Sequence, residues 1–116
     1  MYALKNKVQL IGNLGNAPEV KTLESGKKMA RFSVATNEIY RNNKGEKVIE
    51  TQWHNLIAWG KVAEIVEKYL DKGKEVAIEG KLINRSYTDK EGNKKYVTEI
   101  QVNELLMLGA KSAVEA

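Results

Sequence analysis

Two tryptophans lie in one run, Thr51-Gln52-Trp53-His54-Asn55-Leu56-Ile57-Ala58-Trp59-Gly60. The run is rich in β-branched and aromatic residues and closes on a glycine, the composition of a strand. Alternation along a strand puts Trp53, Asn55, Ile57 and Trp59 on one face and His54, Leu56 and Ala58 on the other. Two large rings on one face can fill a core or stand open as a platform for flat molecules, and this strand alone supports both. Elsewhere Tyr87 shares a strand face with Arg85 and Lys81, and Tyr40 precedes Arg41 at the base of a polar loop. Aromatics interleaved with cations meet both needs of a nucleic-acid strand. Bases stack on rings, at about 1–3 kcal/mol each, and phosphates require counter-charge.

Catalysis is poorly supplied. The chain holds one histidine, no cysteine and two aspartates, Asp71 and Asp89. No nucleophile–base pair, glycine-rich phosphate loop or metal-ligand spacing is present, so the expectation is a protein that is not an enzyme and needs neither cofactor nor metal. A single histidine in a strand, His54, reads as a hydrogen-bonded structural residue before it reads as a base or ligand.

Alternating or strand-rich segments supply the elements that must position these groups. Val8 to Leu14 is a first strand, ending in Gly15-Asn16-Ala17-Pro18, with Val20 to Leu23 extending it past the bend. Ala30 to Thr36, carried on to Tyr40, is a second, with Ala30, Phe32 and Val34 inward and Arg31 and Ser33 outward. Arg41 to Lys47 is a hairpin tip, and Val48 to Gly60 is the third strand. The period then changes: Val62, Ile65, Val66 and Tyr69 carry the spacing of an amphipathic helix over Lys61–Lys72, with Gly73 as its stop. Glu75 to Tyr87 is a fourth strand, with Val76, Ile78, Gly80 and Leu82 toward the core. A tip at Thr88–Asn93 leads to a fifth strand, Tyr96–Val102, and a separate apolar end at Leu105–Leu108. Three strands, a helix and two strands is the element order of an all-β, five-stranded OB-fold barrel with one α-helix between strands 3 and 4.

Composition agrees with a single soluble domain: 116 residues, 42% hydrophobic and 29% charged. The start of the chain has no apolar run of a secretory signal and no stretch approaches a membrane span, so neither export nor a membrane partner is expected. The net charge of +4 is uneven, since residues 1–60 hold nine Lys/Arg against five acids and the remainder ten of each. The basic excess accompanies the tryptophan strand, which suits an anionic partner.

Several short runs occur together in one order. Asn6-Lys7-Val8, Gly12-Asn13-Leu14-Gly15 and Pro18-Glu19-Val20 come first, followed by Trp53-His54, Gly60-Lys61-Val62-Ala63-Glu64 and Lys72-Gly73. Ile78-Glu79-Gly80-Lys81-Leu82 and Thr98-Glu99 complete the set. Over about residues 4–108 this pattern resembles the bacterial single-stranded DNA-binding protein family, with a length change at the hairpin near Asn43. The resemblance implies a homotetramer of OB folds that wraps single-stranded DNA with little sequence preference. It places stacking aromatics at Tyr40, Trp53, Trp59 and Tyr87, where the family more often has tryptophan at the first and last and phenylalanine at the third. Matching basic positions are Arg41, Lys61, Lys72 and Arg85, with Lys44 nearby. Asn55, Ile83 and Ser86 stand where some members are basic, and Arg31 is available to offset that loss. The position of His54 belongs to the family's subunit interface.

The expected division is therefore 1–108 as a single-stranded DNA-binding domain and 109–116 as a short end without the acidic tip of family members. Recruitment of replication and repair proteins through such a tip is not expected. The functional expectation is binding and protection of single-stranded DNA in replication, recombination and repair, in the bacterial cytoplasm at the nucleoid. The alternative is an OB-fold RNA-binding or primosomal accessory protein.

Overall fold

The computed structural model describes residues 5–108. In chain order the elements are β1 (Val8–Leu14), β2 (Glu19–Thr22), β3 (Lys28–Arg41), β4 (Lys47–Trp59), α1 (Gly60–Tyr69), β5 (Glu75–Thr88) and β6 (Lys94–Met107). The sheet runs β1-β5-β6-β4-β3-β2, and β1 also pairs with β3 at Asn13–Ala35 and Leu14–Val34. That extra pairing closes β1, β3, β4, β6 and β5 into a barrel. Among the described residues only the short β4–β6 contact, Leu56–Ile100 and Ile57–Gln101, is parallel. The five-stranded OB barrel is thus present, and its helix falls between β4 and β5 because β2 forms a strand of its own.

Period-two alternation fills the barrel. Ala30, Phe32 and Val34 of β3 meet Leu56 and Ala58 of β4, Val76 and Ile78 of β5, and Ile100 and Val102 of β6. Ala63 and Val66 of α1, with Leu70 just beyond it, belong to the same buried cluster. Closure demands a glycine on β1: a Cβ on Gly12 would run into the Ala35 carbonyl oxygen.

Three features differ from the sequence reading. The helix ends at Tyr69 rather than Lys72, because Leu70 turns extended (φ −98°, ψ 149°) and is buried in the core. Gly73 (φ 89°) is therefore not the helix stop. It serves the following turn, where its N–H donates to the Leu14 carbonyl at 2.9 Å. The fifth strand and the apolar end are one continuous β6, interrupted by a bulge: Glu79 pairs with Glu104 but Gly80 with Val102, leaving Asn103 as the extra residue. The bulge reverses the alternation, so Ile100 and Val102 face inward before it and Leu105 packs on the core after it. Leu82, expected in the core, is 46% exposed, because beyond Gly80 the β5–β6 ribbon runs out past the barrel.

Two ribbons project in this way: the outer parts of β3–β4 and of β5–β6. Both close in a five-residue frame in which the first N–H bonds the fifth carbonyl and a glycine at the fourth position bonds back to the first. These frames are Asn42–Glu46 with Gly45 (φ 80°) and Asp89–Asn93 with Gly92 (φ 86°). Each opening side chain also accepts two backbone N–H groups: Asn42 Oδ1 from Lys44 and Glu46, Asp89 Oδ1 from Glu91 and Asn93.

Candidate nucleic-acid interface

Strand register, not sequence distance, assembles the candidate surface. Trp53, Asn55, Ile57 and Trp59 lie opposite Ala35, Ser33, Arg31 and Met29. Paired residues share a face, so Arg31 and Ser33 stand beside the tryptophan row on the outside of the barrel. Ile57 pairs with Gln101 of β6, whose neighbour Glu99 pairs with Ile83 of β5. Arg85 and Tyr87 continue that outer face toward the β5–β6 tip.

Trp53 is 62% exposed, so its ring is not part of the core of this chain. Its ring nevertheless has a fixed seat, since a Cβ built on Gly15 would collide with the indole. Gly15 is held in turn by its N–H to the Ser33 carbonyl at 3.0 Å. Asn16 completes the anchorage, its Oδ1 accepting from both the N–H (3.0 Å) and the hydroxyl (2.9 Å) of Ser33. Trp59 lies six residues along β4, about 20 Å away at strand rise. It is only partly exposed, next to buried Ile57, and carries Lys27 Nζ 5.3 Å from its ring centroid.

Between the tryptophans and Tyr87 sits an ion cluster. Glu99 is 5% exposed although it lies on the outer face, because two arginines cover it. Arg85 donates from Nε to Oε1 at 3.0 Å and from Nη2 to Oε2 at 3.3 Å. Arg31 Nε approaches Oε2 at 3.5 Å from the opposite side, with no hydrogen-bond partner for that N–H among the described residues. The hydrogen bond from Arg85 is the main reason the Glu99 carboxyl is held below the ordinary carboxylate range. The charges of Arg85 and Arg31 add to it, and burial opposes it. Both arginine side chains remain partly exposed, and a cleft of about 220 Å³ bounded by Asn16, Glu19, Arg31, Ser33, Asn55 and Glu99 opens beside Arg31.

The remaining expected residues are spread more widely. Arg41 is on the outer face by register, opposite Lys47, and its Nη1 donates to the Gly45 carbonyl at 2.9 Å. Lys44 is exposed in the tip itself. Tyr40 pairs with Val48 and so falls on the opposite face of the ribbon from Trp53. Lys61 is exposed in the first turn of α1, and Lys72 is exposed on the turn whose Gly73 and Lys74 bond β1 at Leu14. His54 is half-buried opposite Val34, its Nε2 3.0 Å from the Thr36 hydroxyl.

Sequence reasoning did not single out Gly15 as a seat, Glu99 as the centre of an ion cluster, Lys27 over Trp59, or Tyr96, which is exposed with Lys94 Nζ 5.7 Å from its ring. Alternation could have placed Glu99 with Arg85, two outward residues of adjacent strands. The other contacts join segments that only the closed barrel brings together.

Among the described residues no group of three or more acidic or histidine side chains is placed to hold a metal ion. No helix among them is long and apolar enough to cross a membrane.

Comparison with known proteins gives a consistent result. A model of the Single-strand binding protein family matches residues 5–108. The chain is 48% identical over 109 residues to Single-stranded DNA-binding protein 1 of Chlorobaculum tepidum, covering 93% of this chain and 67% of that protein. It is 45% identical over 107 residues to Single-stranded DNA-binding protein 1 of Xylella fastidiosa, covering 91% and 79% respectively. Against the Single-stranded DNA-binding protein of Neisseria meningitidis serogroup A the identity is 42%, over 92% of this chain and 62% of the relative. A solved structure of the Plasmodium falciparum SSB complex with ssDNA superposes with a TM-score of 0.81 at 36% identity, covering 89% of this chain and 94% of that one.

Proposed function

The chain belongs to the single-strand binding protein family, and from that premise we propose that it binds single-stranded DNA on the outer face of β3, β4, β6 and β5 without acting as an enzyme. The observation that carries this reading is Trp53: a large ring left in solvent, seated on a glycine, on the same face as Arg31 and Arg85. An exposed ring held in place is what a base needs in order to stack, and guanidinium groups beside it suit the phosphates on either side. Trp59 and Tyr87 extend the stacking row at its two ends. Tyr40 contacts the strand from the other face of the β3–β4 ribbon, as the strand passes around it. Arg41, Lys44, Lys61 and Lys72 serve phosphates along this route, and nonspecific binding of this kind fits protection of unwound DNA in the bacterial cytoplasm during replication, recombination and repair.

The functional unit under this reading is a homotetramer. His54 lies at one contact between subunits, and an exposed apolar stripe across three strands, Ile11–Ala77–Leu106 in register, suits another. Light scattering should return the mass of about four chains.

Titration with labelled dT oligomers of increasing length, at several salt concentrations, tests the binding. Stacking predicts strong quenching of tryptophan emission, and phosphate contact predicts a log–log salt slope of about −0.7 per neutralised phosphate. Unquenched emission at saturating DNA would refute the stacking role, and a slope near zero the phosphate role.

A further inference from the structure

We infer that Glu99 is a positioning residue, which holds Arg31 and Arg85 in the orientation that meets the phosphates of the strand. The inference rests on the proposed binding face and adds to it a residue of the opposite charge. A carboxylate in the middle of a surface built for an anion is at first sight misplaced, since it subtracts from the local positive potential. Its geometry argues for another role. Glu99 is 5% exposed, so its oxygens face the two arginines rather than the solvent in which a DNA strand would lie.

Arg85 comes from β5 and grips both oxygens in a fork, at 3.0 and 3.3 Å. Arg31 comes from β3 and reaches Oε2 at 3.5 Å, so one oxygen serves both side chains. The carboxylate thereby ties the β5–β6 ribbon to β3, which is distant from it in sequence. It also allows two like charges to stand close, which without it would repel and swing apart on long, flexible side chains.

A guanidinium carries five N–H donors in a rigid plane. Arg85 uses two of them on Glu99, which leaves three, and its side chain remains 43% exposed. The cluster keeps a net charge of +1 by simple count of its two arginines and one carboxylate. Its value for binding lies in orientation, because bidentate contact with phosphate depends on the plane of the fork and not on charge alone.

Charge and orientation predict opposite signs for one substitution. Glu99→Gln removes a negative charge from the face. If Glu99 only repels DNA, this variant binds more tightly and its salt slope is unchanged or steeper. Positioning instead predicts binding weaker by roughly tenfold, the range of couplings within one ion-pair network. The slope should then become shallower by about 0.7 or more, as at least one phosphate contact is lost.

The dT titration should be run on wild type, Glu99→Gln, Arg85→Ala and the double variant. Glu99→Gln should cost far less in the Arg85→Ala background, because the hydrogen-bonded partner is gone and Arg31 alone is left for it to act through. A merely structural role would lower the melting temperature and leave the slope and this coupling alone. Where circular dichroism shows that Glu99→Gln has not folded, Arg85→Lys replaces it, keeping the charge but not the fork. Its affinity should drop toward that of Arg85→Ala, and wild-type affinity would overturn the inference. Tighter binding by Glu99→Gln would overturn it equally. Wild-type protein that fails to bind dT refutes the proposed face itself, which separates that outcome from failure of the Glu99 role.

Discussion

The two projecting ribbons are built on one plan and furnished differently. Each joins long strands through a five-residue glycine-bearing frame opened by an Asn or Asp side chain, and each carries a Thr–Asn side-chain bond of 2.7 Å across its strands. Those bonds, Thr51 to Asn37 and Thr98 to Asn84, sit at equivalent places. Their charges diverge. Residues 36–53 hold three basic and three acidic side chains, whereas residues 81–99 hold five basic against three acidic. The β3–β4 ribbon exposes Ile39, Tyr40, Ile49 and Trp53, while the β5–β6 ribbon exposes Leu82, Tyr87 and Tyr96 and also carries the Arg85–Glu99 pair. One plan thus presents aromatic and apolar surface on both ribbons, and the second adds an ion cluster and a basic excess. The basic excess of residues 1–60 lies before the β3–β4 ribbon, in residues 1–35, which hold six Lys/Arg against two acids, and it includes Arg31 and the Lys27 that stands over Trp59.

This contrast can be broken by experiment. Trp53→Ala should have the largest effect, a loss of about 1–3 kcal/mol in binding with little change in thermal stability, read by titration and melting. Its salt slope should match wild type; a slope reduced as far as that of an arginine variant would end the division between the ribbons. Arg85→Ala should weaken dT, dA and dC oligomers about equally and lower the slope by about 0.7, the share of one phosphate.

The ionic ribbon should also respond to acid. Glu99 has a lowered folded-state pKa, so its contribution is present above the unfolded carboxylate value and is lost as pH falls through the folded one. The melting difference between wild type and Glu99→Gln should narrow as pH drops through and below the ordinary carboxylate range; a constant difference would deny the ion cluster a part in stability. The smallest effects belong to the shared plan. Thr51→Val and Thr98→Val should each destabilise by about 0.5–1 kcal/mol, and by similar amounts, in thermal unfolding. A clear inequality would show that the frames are alike in geometry but not in energy.

Alternation of apolar residues made the barrel legible before any coordinates. Phe32, Val34, Leu56, Val76 and Ile78 announce their strands, and the 3.6-residue spacing of Val62, Val66 and Tyr69 announces the helix. What alternation conceals is a change of phase. The bulge at Asn103 split β6 into two apparent segments, and Leu82 keeps a core-like position in the pattern after the barrel has ended. Of the candidate site, the aromatic row and Arg85 were visible because they lie on single strands. Gly15 beneath Trp53, Lys27 over Trp59 and Arg31 at Glu99 are products of closure, joining segments that no local rule relates.

The seat under Trp53 has a consequence for the thermodynamics of binding. An exposed tryptophan ordinarily samples several rotamers, and holding such a side chain still on complex formation costs about 0.5–1.5 kcal/mol of conformational entropy. A Cβ on Gly15 would displace the indole, so the ring packs on that backbone along one side while still open to water. On the proposed binding face, part of its ordering then belongs to folding rather than to association. In a Trp59→Phe background the remaining indole should therefore combine the red-shifted emission of a solvated ring with the high anisotropy of an immobile one.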